Sequence, residues 1–589
     1  MTQQRRERRS LRGASSVRLR AALVVITMVL SVFGVRLFQL QGLDPQAYAA
    51  RAESMGLVRA VLPAERGEIL DRNDEPLARS VAGLMIVADP TRTREHAEAI
   101  AQILARRLHL DYFDLLDRLT KPHTRFQYVA RRVPSTLATS VVDDITRRGY
   151  EGLATRRDPL RVYPSKDVAA NLLGFINAEG QPAGGLEQTF QSELSGKDGS
   201  ETYEVGDGNR IPLGENTQVD PVNGKDVHLT IDRDVQWYAQ RVLRTAVHNA
   251  DADSGAAIAL DSRTGEVLAL ADYPTFDANH GSDAAKGDWG SRALSNVYEP
   301  GSVEKVLTTS ALINEGLVGP RTRIAVPGEL HVQDRTIHDY WPHGRIRLTL
   351  AGVIAKSSNI GTVLAARTIG RHKLWNYLRG FGLGQQTGVG VPGEAAGILS
   401  PPDEWTPVRK SNIAFGQGVS VNALQMASAV NTIANKGEYV SPSIVQGRLR
   451  TASGQVVGSG VTTRHRVVSA ATAAKEARMM EMVVTEGKGT APAAAIPGYR
   501  VAGKTGTAQE VGGPCHCYAQ GGIDVSFAGF APADNPRFTV YVVIKNPKVG
   551  GAGGGATAGP VFRQILNYLL QKYAVPPTGT RPAHLPVEW

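Results

Sequence analysis

An uncharged apolar stretch near the N-terminus constrains what this chain of 589 residues can become. Residues Ala21 to Val35 read AALVVITMVLSVFGV, and the apolar pattern resumes as LFQL after Arg36. A spanning helix needs about 20 apolar residues, so the stretch crosses a bilayer only if Arg36 lies near the outer end and reaches the interface. The sequence therefore predicts a transmembrane helix over residues 21–40.

Basic residues precede this stretch and account for most of the charge of the chain. Residues 1–20 hold seven arginines and one glutamate, whereas the formal net charge of the whole chain is +10. About +4 remains for the rest, which does not indicate a nucleic-acid partner. Arginines before the span predict a cytoplasmic N-terminus by the positive-inside rule, with most of the chain outside the plasma membrane.

A cleaved signal peptide is the alternative interpretation of the apolar stretch. Residues 47–49 read AYA, which resembles a cleavage site. This site lies well beyond the apolar run, past the polar residues Gln39, Gln41 and Asp44. An uncleaved single-pass anchor is therefore the preferred hypothesis.

The remainder is too long for one core and divides into two regions. Residues 41–223 mix short strands with amphipathic helices and carry no acid cluster, which indicates a pedestal or interaction module. Residues 224–575 contain a hairpin pattern at Gly255–Pro274 and three consecutive strand candidates near their end, which predict an antiparallel sheet. The Pro-rich residues 576–589 are expected to form a loose tail. The predicted fold class is mixed α+β / α/β.

Two cysteines are present, Cys515 and Cys517, in the sequence PCHCYA. A chain with so few cysteines does not owe its stability to disulfides. Free or structural thiols, a strained local disulfide and a soft-metal site all fit this pattern. One short Cys-x-Cys is poor evidence for a metal, so no metal or other cofactor is predicted.

The first candidate site is the sequence EPGSVEK, with Ser302 and Lys305 three residues apart. Ser302 could simply cap a helix that begins here. Residues at this spacing also share one helix face, and a buried lysine that loses its proton can act as a base toward a hydroxyl. The stretch alone does not decide between a cap and a nucleophile.

Two further motifs also allow both a structural and a functional interpretation. Ser357 and Asn359, in AKSSNIG, lie at an apparent helix start, where they could cap the helix or relay a proton and hold an amide. Lys504 lies on a strand candidate reading AGKTGTAQ, with hydroxyls at Thr505 and Thr507 that could bind a carboxylate. A glycine between them, Gly506, could allow a ligand backbone to approach closely, although a lysine on an edge strand can also serve against aggregation.

Together the three motifs form a known signature. Ser-x-x-Lys, Ser-x-Asn and Lys-Thr-Gly, in this order, are typical of penicillin-binding proteins and class A β-lactamases. The chain resembles a class B penicillin-binding protein of the cell-division (FtsI) type over nearly its whole length. The other matching stretches are RLFQLQ, RGEILDRNDEPLA, RVYPSKDVAANLLGFIN, GLE, LTID, FGQGVSVNALQMASA and GFAPADNPRFTVYVVI.

The resemblance implies a fold and a division of labour. The fold is a pedestal (penicillin-binding protein dimerisation) domain followed by a transpeptidase domain similar to serine β-lactamases. Ser302 would attack a D-Ala-D-Ala stem peptide with Lys305 as base, Ser357 would pass a proton to the leaving amine, and Asn359 would orient the substrate amide. The substrate carboxylate would be held by the strand motif, namely Lys504, Thr505, Gly506 and Thr507.

The resemblance also implies partners and an accompanying inhibitor class. β-Lactams would mimic the donor peptide and stall the acyl-enzyme, and an FtsW-like glycan polymerase and other division proteins would bind the anchor and pedestal. No glycosyltransferase signature is evident in the pedestal, so a monofunctional enzyme is expected. An elongation-type transpeptidase, a D,D-carboxypeptidase, a β-lactam sensor and a catalytically idle scaffold are the alternatives.

Two positions depart from the usual family pattern. Glu304 places an acid between Ser302 and Lys305, and we expect it to face away from the cleft without loss of activity. Asp74, in DRND, replaces the usual glycine and is expected to alter one turn of the pedestal.

Overall fold

The structure is a computed structural model that describes residues 14–39, 57–206, 209–210, 217–512, 517–549 and 553–589. It contains two compact units, the first formed by residues 1–63 and 197–222, and the second by residues 64–196 and 223–589. Residues 1–13 of the predicted basic tail and Cys515 lie outside the described residues, whereas residues 14–20 of that tail are part of a helix.

The α-helices are numbered in chain order. They are α1 Ala14–Phe38, α2 Pro90–Thr93, α3 Ala97–Leu108, α4 Tyr112–Thr120, α5 Ser135–Arg147, α6 Ala170–Leu173, α7 Gly185–Thr189, α8 Gln191–Leu194, α9 Arg233–Asn249, α10 Arg292–Ser295, α11 Lys305–Asn314, α12 Leu350–Lys356, α13 Asn359–Ala366, α14 Arg371–Gly380, α15 Pro407–Ile413, α16 Ala423–Ala434, α17 Ala470–Glu481 and α18 Gly554–Lys572.

The strands are numbered in the same way. They are β1 Leu57–Leu62, β2 Ile69–Leu70, β3 Pro76–Val81, β4 Gly83–Ala88, β5 Gln127–Pro134, β6 Leu153–Arg157, β7 Leu160–Val162, β8 Phe175–Ile176, β9 Pro182–Ala183, β10 Gly199–Gly206, β11 Asn209–Arg210, β12 Thr217–Val219, β13 Val227–His228, β14 Ser254–Asp261, β15 Val267–Tyr273, β16 Arg323–Val326, β17 Leu330–Val332, β18 Arg335–Ile337, β19 Ile346–Thr349, β20 Glu438–Val440, β21 Leu449–Arg450, β22 Val456–Val457, β23 Arg464–Arg466, β24 Ala502–Gly512, β25 Cys517–Ala531 and β26 Phe538–Lys545.

The first unit holds the apolar helix α1 and a small sheet. Residues Val17–Phe38 of α1 form an apolar span of 22 residues with a mean hydropathy of 2.3, and none of this span is buried within the protein. A helix that is apolar on every side and uncovered matches a membrane span rather than a core helix. In the sheet, β1 and β12 both pair antiparallel with β10.

The N-terminal part of the second unit has a small hydrophobic core of its own. Strand β4 lies between β5 and β6 in an antiparallel sheet. Helices α3, α4 and α5 contribute one apolar face each, and their buried side chains pack with those of the sheet because the apolar residues recur every three or four positions.

The C-terminal part of the second unit is built on a five-stranded antiparallel sheet with the order β15-β14-β26-β25-β24. The hairpin predicted at Gly255–Pro274 is confirmed as β14 and β15, with Gly255 opposite Tyr273. The three predicted late strands are confirmed as β24, β25 and β26. Helices α9, α16 and α18 contact this sheet, which confirms the predicted mixed α+β fold.

The prediction of a loose C-terminal tail over residues 576–589 is wrong. Leu585 and Val587 are buried, and the backbone amide of Thr349 donates to the carbonyl oxygen of Val587 over 3.0 Å. The indole Nε1 of Trp589 donates to the carbonyl oxygen of Leu348 over 3.1 Å. Proline removes backbone donors but not carbonyl acceptors, so a Pro-rich segment can still be fixed by hydrogen bonds to its carbonyls.

A buried carboxylate ties together three of the stretches on which the family resemblance rests. Glu187, in the GLE stretch, is fully buried and accepts hydrogen bonds from Arg66 Nε at 2.5 Å, Arg161 Nε at 2.8 Å and the Tyr163 hydroxyl at 3.1 Å. Burial and the neighbouring Glu187 charge raise the pKa of Tyr163 well above its ordinary value, so it stays a hydrogen-bond donor. These residues, far apart in sequence, join the chain segments around β2, β7 and α7.

We predict that Glu187→Ala strongly destabilises this unit. It leaves the two nearly buried guanidiniums of Arg66 and Arg161 without their carboxylate, a change that typically costs about 3–5 kcal/mol. The measurement is the free energy of unfolding from urea titration of the full chain in detergent. The control is Glu151→Ala, which breaks the exposed pair with Arg92 and should change stability little. Equal effects of the two variants would contradict the prediction.

Candidate active site

Ser302 lies in a tight turn that packs against strand β24. The turn is a single 3-10 turn, Gly301–Val303, and α11 begins only at Lys305. The N-cap positions of this turn and of α11 are Pro300 and Glu304, so Ser302 is not the N-cap of either. Gly301 has φ +52°, and a Cβ there would lie 2.6 Å from the Thr507 carbonyl oxygen. Glycine therefore lets the serine turn approach the strand that carries Thr507.

Lys305 is fully buried and is held by two acceptors. Its Nζ donates to the Ser357 carbonyl oxygen over 2.6 Å and to Asn359 Oδ1 over 2.7 Å. Burial lowers the pKa of Lys305 to about 7, although the charges of Asp339 and Glu304 oppose this effect. A neutral amine has two N–H groups, and these two contacts use both, which leaves its lone pair to accept a proton.

Ser357 and Asn359 lie where two helices meet end to end. Ser357 ends α12 in the left-handed conformation with φ 60°, whereas Asn359 is the first residue of α13. The hydroxyl between them, on Ser358, caps α13 by accepting from the Gly361 amide over 2.9 Å. The predicted helix start is confirmed for Asn359, but Ser357 belongs to the end of the preceding helix.

Lys504 lies on β24, as predicted, but beneath the cleft rather than at its surface. It is fully buried, and its Nζ donates to Ser357 Oγ over 2.8 Å and to the Thr505 carbonyl oxygen over 3.0 Å. Burial lowers its pKa well below the ordinary value, and the neighbouring Lys305 lowers it further. The Ser357 hydroxyl thus lies between two amines, since Lys305 Nζ is 3.4 Å away.

Gly506 allows close packing of the protein on one side of β24, and the approach of a ligand backbone to this strand stays a prediction. A Cβ at Gly506 would lie 2.1 Å from Ser526 Oγ and 2.8 Å from Val303 Cγ2. Both neighbours are protein atoms, one on the adjacent strand and one in the Ser302 turn. Gly506 therefore brings β24 close to the nucleophile candidate.

These elements surround one cleft of about 380 Å³, a size suited to a small ligand. Ser302, Ser357, Asn359, Thr505 and Thr507 all contribute to its wall, whereas Lys305, Lys504 and Gly506 lie behind it. The remaining lining residues are Gly301, Tyr340, Phe415, Gln417, Thr490, Gly553, Gly554, Gly555 and Ala556. The three motifs, more than 200 positions apart at their extremes, thus meet at one place.

Asp339 contacts the second motif and is a candidate site residue that no sequence motif indicates. Its Oδ2 accepts from Ser358 Oγ over 2.6 Å, and its Oδ1 accepts from the Ile360 amide over 3.0 Å. His343 Nε2 lies 3.0 Å from the same Oδ2. The carboxylate therefore fixes the start of α13 and places a negative charge near Lys305. Nothing in the local pattern of the aromatic stretch HDYWPH marks this role, because the partners lie about twenty positions later.

Glu304 faces away from the cleft, in agreement with the prediction. It is fully buried, its Oε1 accepts from Thr308 Oγ1 over 2.7 Å, and its Oε2 has no hydrogen-bond partner among the described residues. Burial raises the pKa of Glu304 well above its ordinary value and thus favours its neutral form. A neutral acid behind Lys305 is compatible with a neutral lysine.

Only part of the Cys-x-Cys stretch falls within the described residues. Residues 513–516, which include Cys515, lie outside the described residues, and Cys517 is described only as the first residue of β25. Within the described ranges, no group of three or more His, Cys, Asp or Glu side chains is arranged to hold a metal ion.

Comparison with known proteins matches both regions of the chain. The model of the penicillin binding protein transpeptidase domain matches residues 255–567, and that of the penicillin-binding protein dimerisation domain matches residues 61–229. Penicillin-binding protein PbpB of Mycolicibacterium smegmatis is 37% identical, covering 96% of this chain and 92% of the relative. Peptidoglycan D,D-transpeptidase FtsI of Escherichia coli is 32% identical over 94% of this chain and 91% of its own length.

Solved structures agree with these matches. Penicillin binding protein 3 from Mycobacterium tuberculosis, complexed with aztreonam, has a TM-score of 0.69 and 33% identity, covering 89% of this chain and 99% of that chain. A peptidoglycan synthetase from Bifidobacterium adolescentis has a TM-score of 0.71 and 33% identity, covering 90% and 100% respectively.

We predict that Lys305 titrates near pH 7 and that Asp339→Asn lowers its pKa further. The Asp339 charge favours the ammonium form, so removing the charge favours the neutral amine. The measurement is NMR of the full chain carrying ¹³Cε-lysine, with the Lys305 signal assigned by Lys305→Arg. Asp334→Asn is the control, because that carboxylate is exposed beside Arg335 and should leave the titration unchanged. A raised or unchanged pKa in Asp339→Asn would rule out the proposed influence of Asp339.

Proposed function

The chain belongs to the class B penicillin-binding proteins of the cell-division type, and from this premise we propose that it crosslinks peptidoglycan as a serine D,D-transpeptidase. The substrates are stem peptides ending in D-Ala-D-Ala, and β-lactams acylate the same site. The observation that carries this proposal is the convergence of Ser302, the buried Lys305 and the serine of the second motif, Ser357, at one cleft.

We propose that Lys305 activates Ser302. The neutral Lys305 amine accepts the Ser302 hydroxyl proton as Oγ attacks the carbonyl carbon of the penultimate D-Ala. The C–N bond to the terminal D-Ala breaks, and Lys305 returns the proton to its nitrogen through Ser357 Oγ, so that Lys305 is neutral again. Ser357 Oγ lies 3.4 Å from Lys305 Nζ and 2.8 Å from Lys504 Nζ. An acyl-enzyme ester remains on Ser302. An amine of a second stem peptide then attacks the ester, forms the crosslinking amide and returns Oγ–H to the serine.

The negative charge that develops on the attacked oxygen requires donors near Ser302. The backbone N–H groups of Ser302 and Thr507 are proposed to supply them, which is supported by the close approach of Gly301 to the Thr507 carbonyl. The orienting contact to the substrate amide is assigned to Asn359, whose side chain is fixed by Lys305 Nζ and by the His338 carbonyl oxygen over 3.0 Å.

We propose that the hydroxyls of Thr505 and Thr507, which both line the cleft, donate hydrogen bonds to the substrate carboxylate. The Thr505 hydroxyl lies 3.0 Å from that of Thr490, which fixes its position. Lys504 supports the same wall from behind, because it also bonds to the Thr505 carbonyl oxygen. Its contribution to carboxylate binding is therefore indirect in the free enzyme.

The cellular setting follows from α1 and from the arginines before it. We propose a single-pass anchor with the N-terminus in the cytoplasm and the cleft outside, which is supported by the apolar span Val17–Phe38 and the positive-inside rule. The anchor and pedestal would bind an FtsW-like glycan polymerase and other division proteins. The chain itself is proposed to carry no glycosyltransferase activity.

The direct test is labelling of the full chain with a fluorescent penicillin. We expect the label on Ser302 and complete loss of labelling in Ser302→Ala. The matched control is Ser310→Ala, which removes a buried hydroxyl that has no hydrogen-bond partner among the described residues of the chain and should label like the parent. A Ser302→Ala chain that still labels would refute the assignment of the nucleophile.

A second prediction concerns the pH dependence of labelling. Only the neutral form of Lys305 can accept the proton, and its pKa of about 7 means that this form is lost as the pH falls below 7. The acylation rate constant should therefore rise roughly tenfold from pH 6 to pH 8 and level off above. The measurement is the second-order rate constant of penicillin labelling at each pH. A rate that is flat over this range would argue against Lys305 as the base.

A further inference from the structure

The residues after the last helix cross the catalytic part of the chain and end near the second motif. We call residues 578–589 the C-terminal strap. Two contacts of the strap concern the site: one lies just before strand β24 and the other at the start of helix α12. Strand β24 carries Lys504, and helix α12 is followed directly by Ser357. Lys504 Nζ donates to Ser357 Oγ over 2.8 Å, which joins the third motif to the second.

The first contact lies just before strand β24. The Thr580 hydroxyl accepts from Arg500 Nη1 over 2.7 Å, and the Ala583 amide donates to Glu481 Oε2 over 3.2 Å. Arg500 and Glu481 form a pair at 2.7 Å in which both side chains are largely buried. Since Arg500 precedes Lys504 by only four positions, the strap is fixed to the base of the lysine strand.

The second contact lies at the first turn of α12. The Thr349 amide donates to the Val587 carbonyl oxygen over 3.0 Å, and its hydroxyl donates to the Pro586 carbonyl oxygen over 2.5 Å. A Cβ at Gly352 would lie only 1.9 Å from the same Val587 oxygen. The strap backbone therefore lies directly against the helix, and glycine at 352 is what permits this contact.

Trp589 also contributes to the second contact of the strap. The Trp589 ring lies under the guanidiniums of Arg323 and Arg347, with distances of 5.0 and 5.2 Å from each guanidinium carbon to the ring centre. Cation–π contacts of this kind stabilise partly exposed aromatic side chains. The indole also donates to the Leu348 carbonyl oxygen, so the ring orientation is fixed.

We infer that the C-terminal strap is a positioning element for Ser357 and Lys504 in the acylation step, an inference that rests on the proposed function. Helix α12 has seven residues, and a helix this short is not stable without tertiary contacts. Its first turn is held by the strap, and its last residue is followed by Ser357. A shift of the first turn therefore moves the Ser357 carbonyl and hydroxyl, which bond to Lys305 and Lys504 respectively.

We expect loss of the strap contact to slow the acylation step more than it weakens the initial binding of the ligand. Lys305 is held by one bond to the Ser357 backbone and one to Asn359, so a displaced Ser357 alters both the position and the environment of the base. Misplacement of a catalytic group by about 1 Å can cost on the order of 100-fold in rate. Initial binding of a β-lactam depends more on Thr505 and Thr507, which the strap does not contact.

The first test is Gly352→Ala in the full chain in detergent. The added Cβ pushes the Val587 carbonyl away, although alanine is a better helix former than glycine at this position. We expect the first-order acylation constant for a fluorescent penicillin to fall about tenfold, with the noncovalent dissociation constant changed by less than about twofold. A variant that acylates at the parental rate would overturn the inference.

The matched control is Gly559→Ala in helix α18. A Cβ at Gly559 would have its nearest neighbour 3.6 Å away, in ordinary van der Waals contact. We expect this variant to acylate like the parent. Equal slowing in both variants would mean that the assay reports a general effect of alanine in helices, and the inference would fail.

The second test removes the strap contact from its other side. Deleting residues 585–589 should slow acylation by a factor similar to that of Gly352→Ala, and Trp589→Ala should slow it about threefold. Trp237→Ala is the control, because Trp237 is similarly exposed and lies under one guanidinium, that of Arg241, far from the strap in the chain. We expect no change in acylation with this control.

The combined variant separates positioning from local damage. If Gly352→Ala acts through the strap, it should add nothing in the chain that lacks residues 585–589. A full additional loss in that background would contradict the inference. If the deletion chain does not fold, the acylation rate of Gly352→Ala alone decides whether the inference stands. A parent chain that is not labelled on Ser302 would refute the proposed function itself, whereas a labelled parent with unaffected variants refutes only the role of the strap.

Discussion

The burial of Lys305 and Lys504 around one serine hydroxyl is the constraint on which the rest of the site depends. Ionised amines in the protein interior are costly unless they are paired with carboxylates, and neither lysine forms an ion pair among the described residues. Two ammonium groups near the same Ser357 hydroxyl would also repel each other. The arrangement is therefore stable when at least one amine is neutral, which is the form that a general base requires.

The surrounding acids are consistent with this charge state. Glu304 and Glu476 are both fully buried, and burial raises the pKa of each well above its ordinary value. Each is bonded to a threonine of α11, Thr308 and Thr309 respectively. Burial therefore favours the neutral form of both acids, and a neutral acid does not hold a lysine in its charged form. The charge of Asp339 has the larger opposing effect, because it favours the Lys305 ammonium and keeps the pKa of Lys305 from falling further.

The elements predicted correctly share a local signal. The hairpin of β14 and β15 shows two apolar runs around a turn sequence, and strands β24, β25 and β26 are consecutive, so neighbours in sequence are neighbours in space. The three motifs are visible in the sequence because each is a short residue pattern and the three occur in a fixed order. Periodicity and motif order are visible without knowledge of tertiary contacts.

The features that were missed depend on contacts between distant positions. Asp339 acquires its role from Ser358 and Ile360, and the C-terminal strap is fixed by backbone carbonyls, which leave no side-chain pattern. The close packing of Gly506 against Ser526 has no signal in the sequence either, because Ser526 lies on another strand. A Pro-rich segment and an isolated glycine are ambiguous in sequence, since the same residues serve loops and close backbone packing.

In the proposed mechanism, Ser302 forms an acyl-enzyme with a D-Ala-D-Ala donor. Its most direct test is mass spectrometry of the full chain after brief incubation with a stem peptide ending in D-Ala-D-Ala, followed by acid quenching and digestion. We expect the peptide containing Ser302 to gain the mass of the donor lacking its terminal alanine, minus one water, with D-Ala released into solution. Release of D-Ala from the chain with an adduct on another residue, or undiminished release by Ser302→Ala, would contradict it.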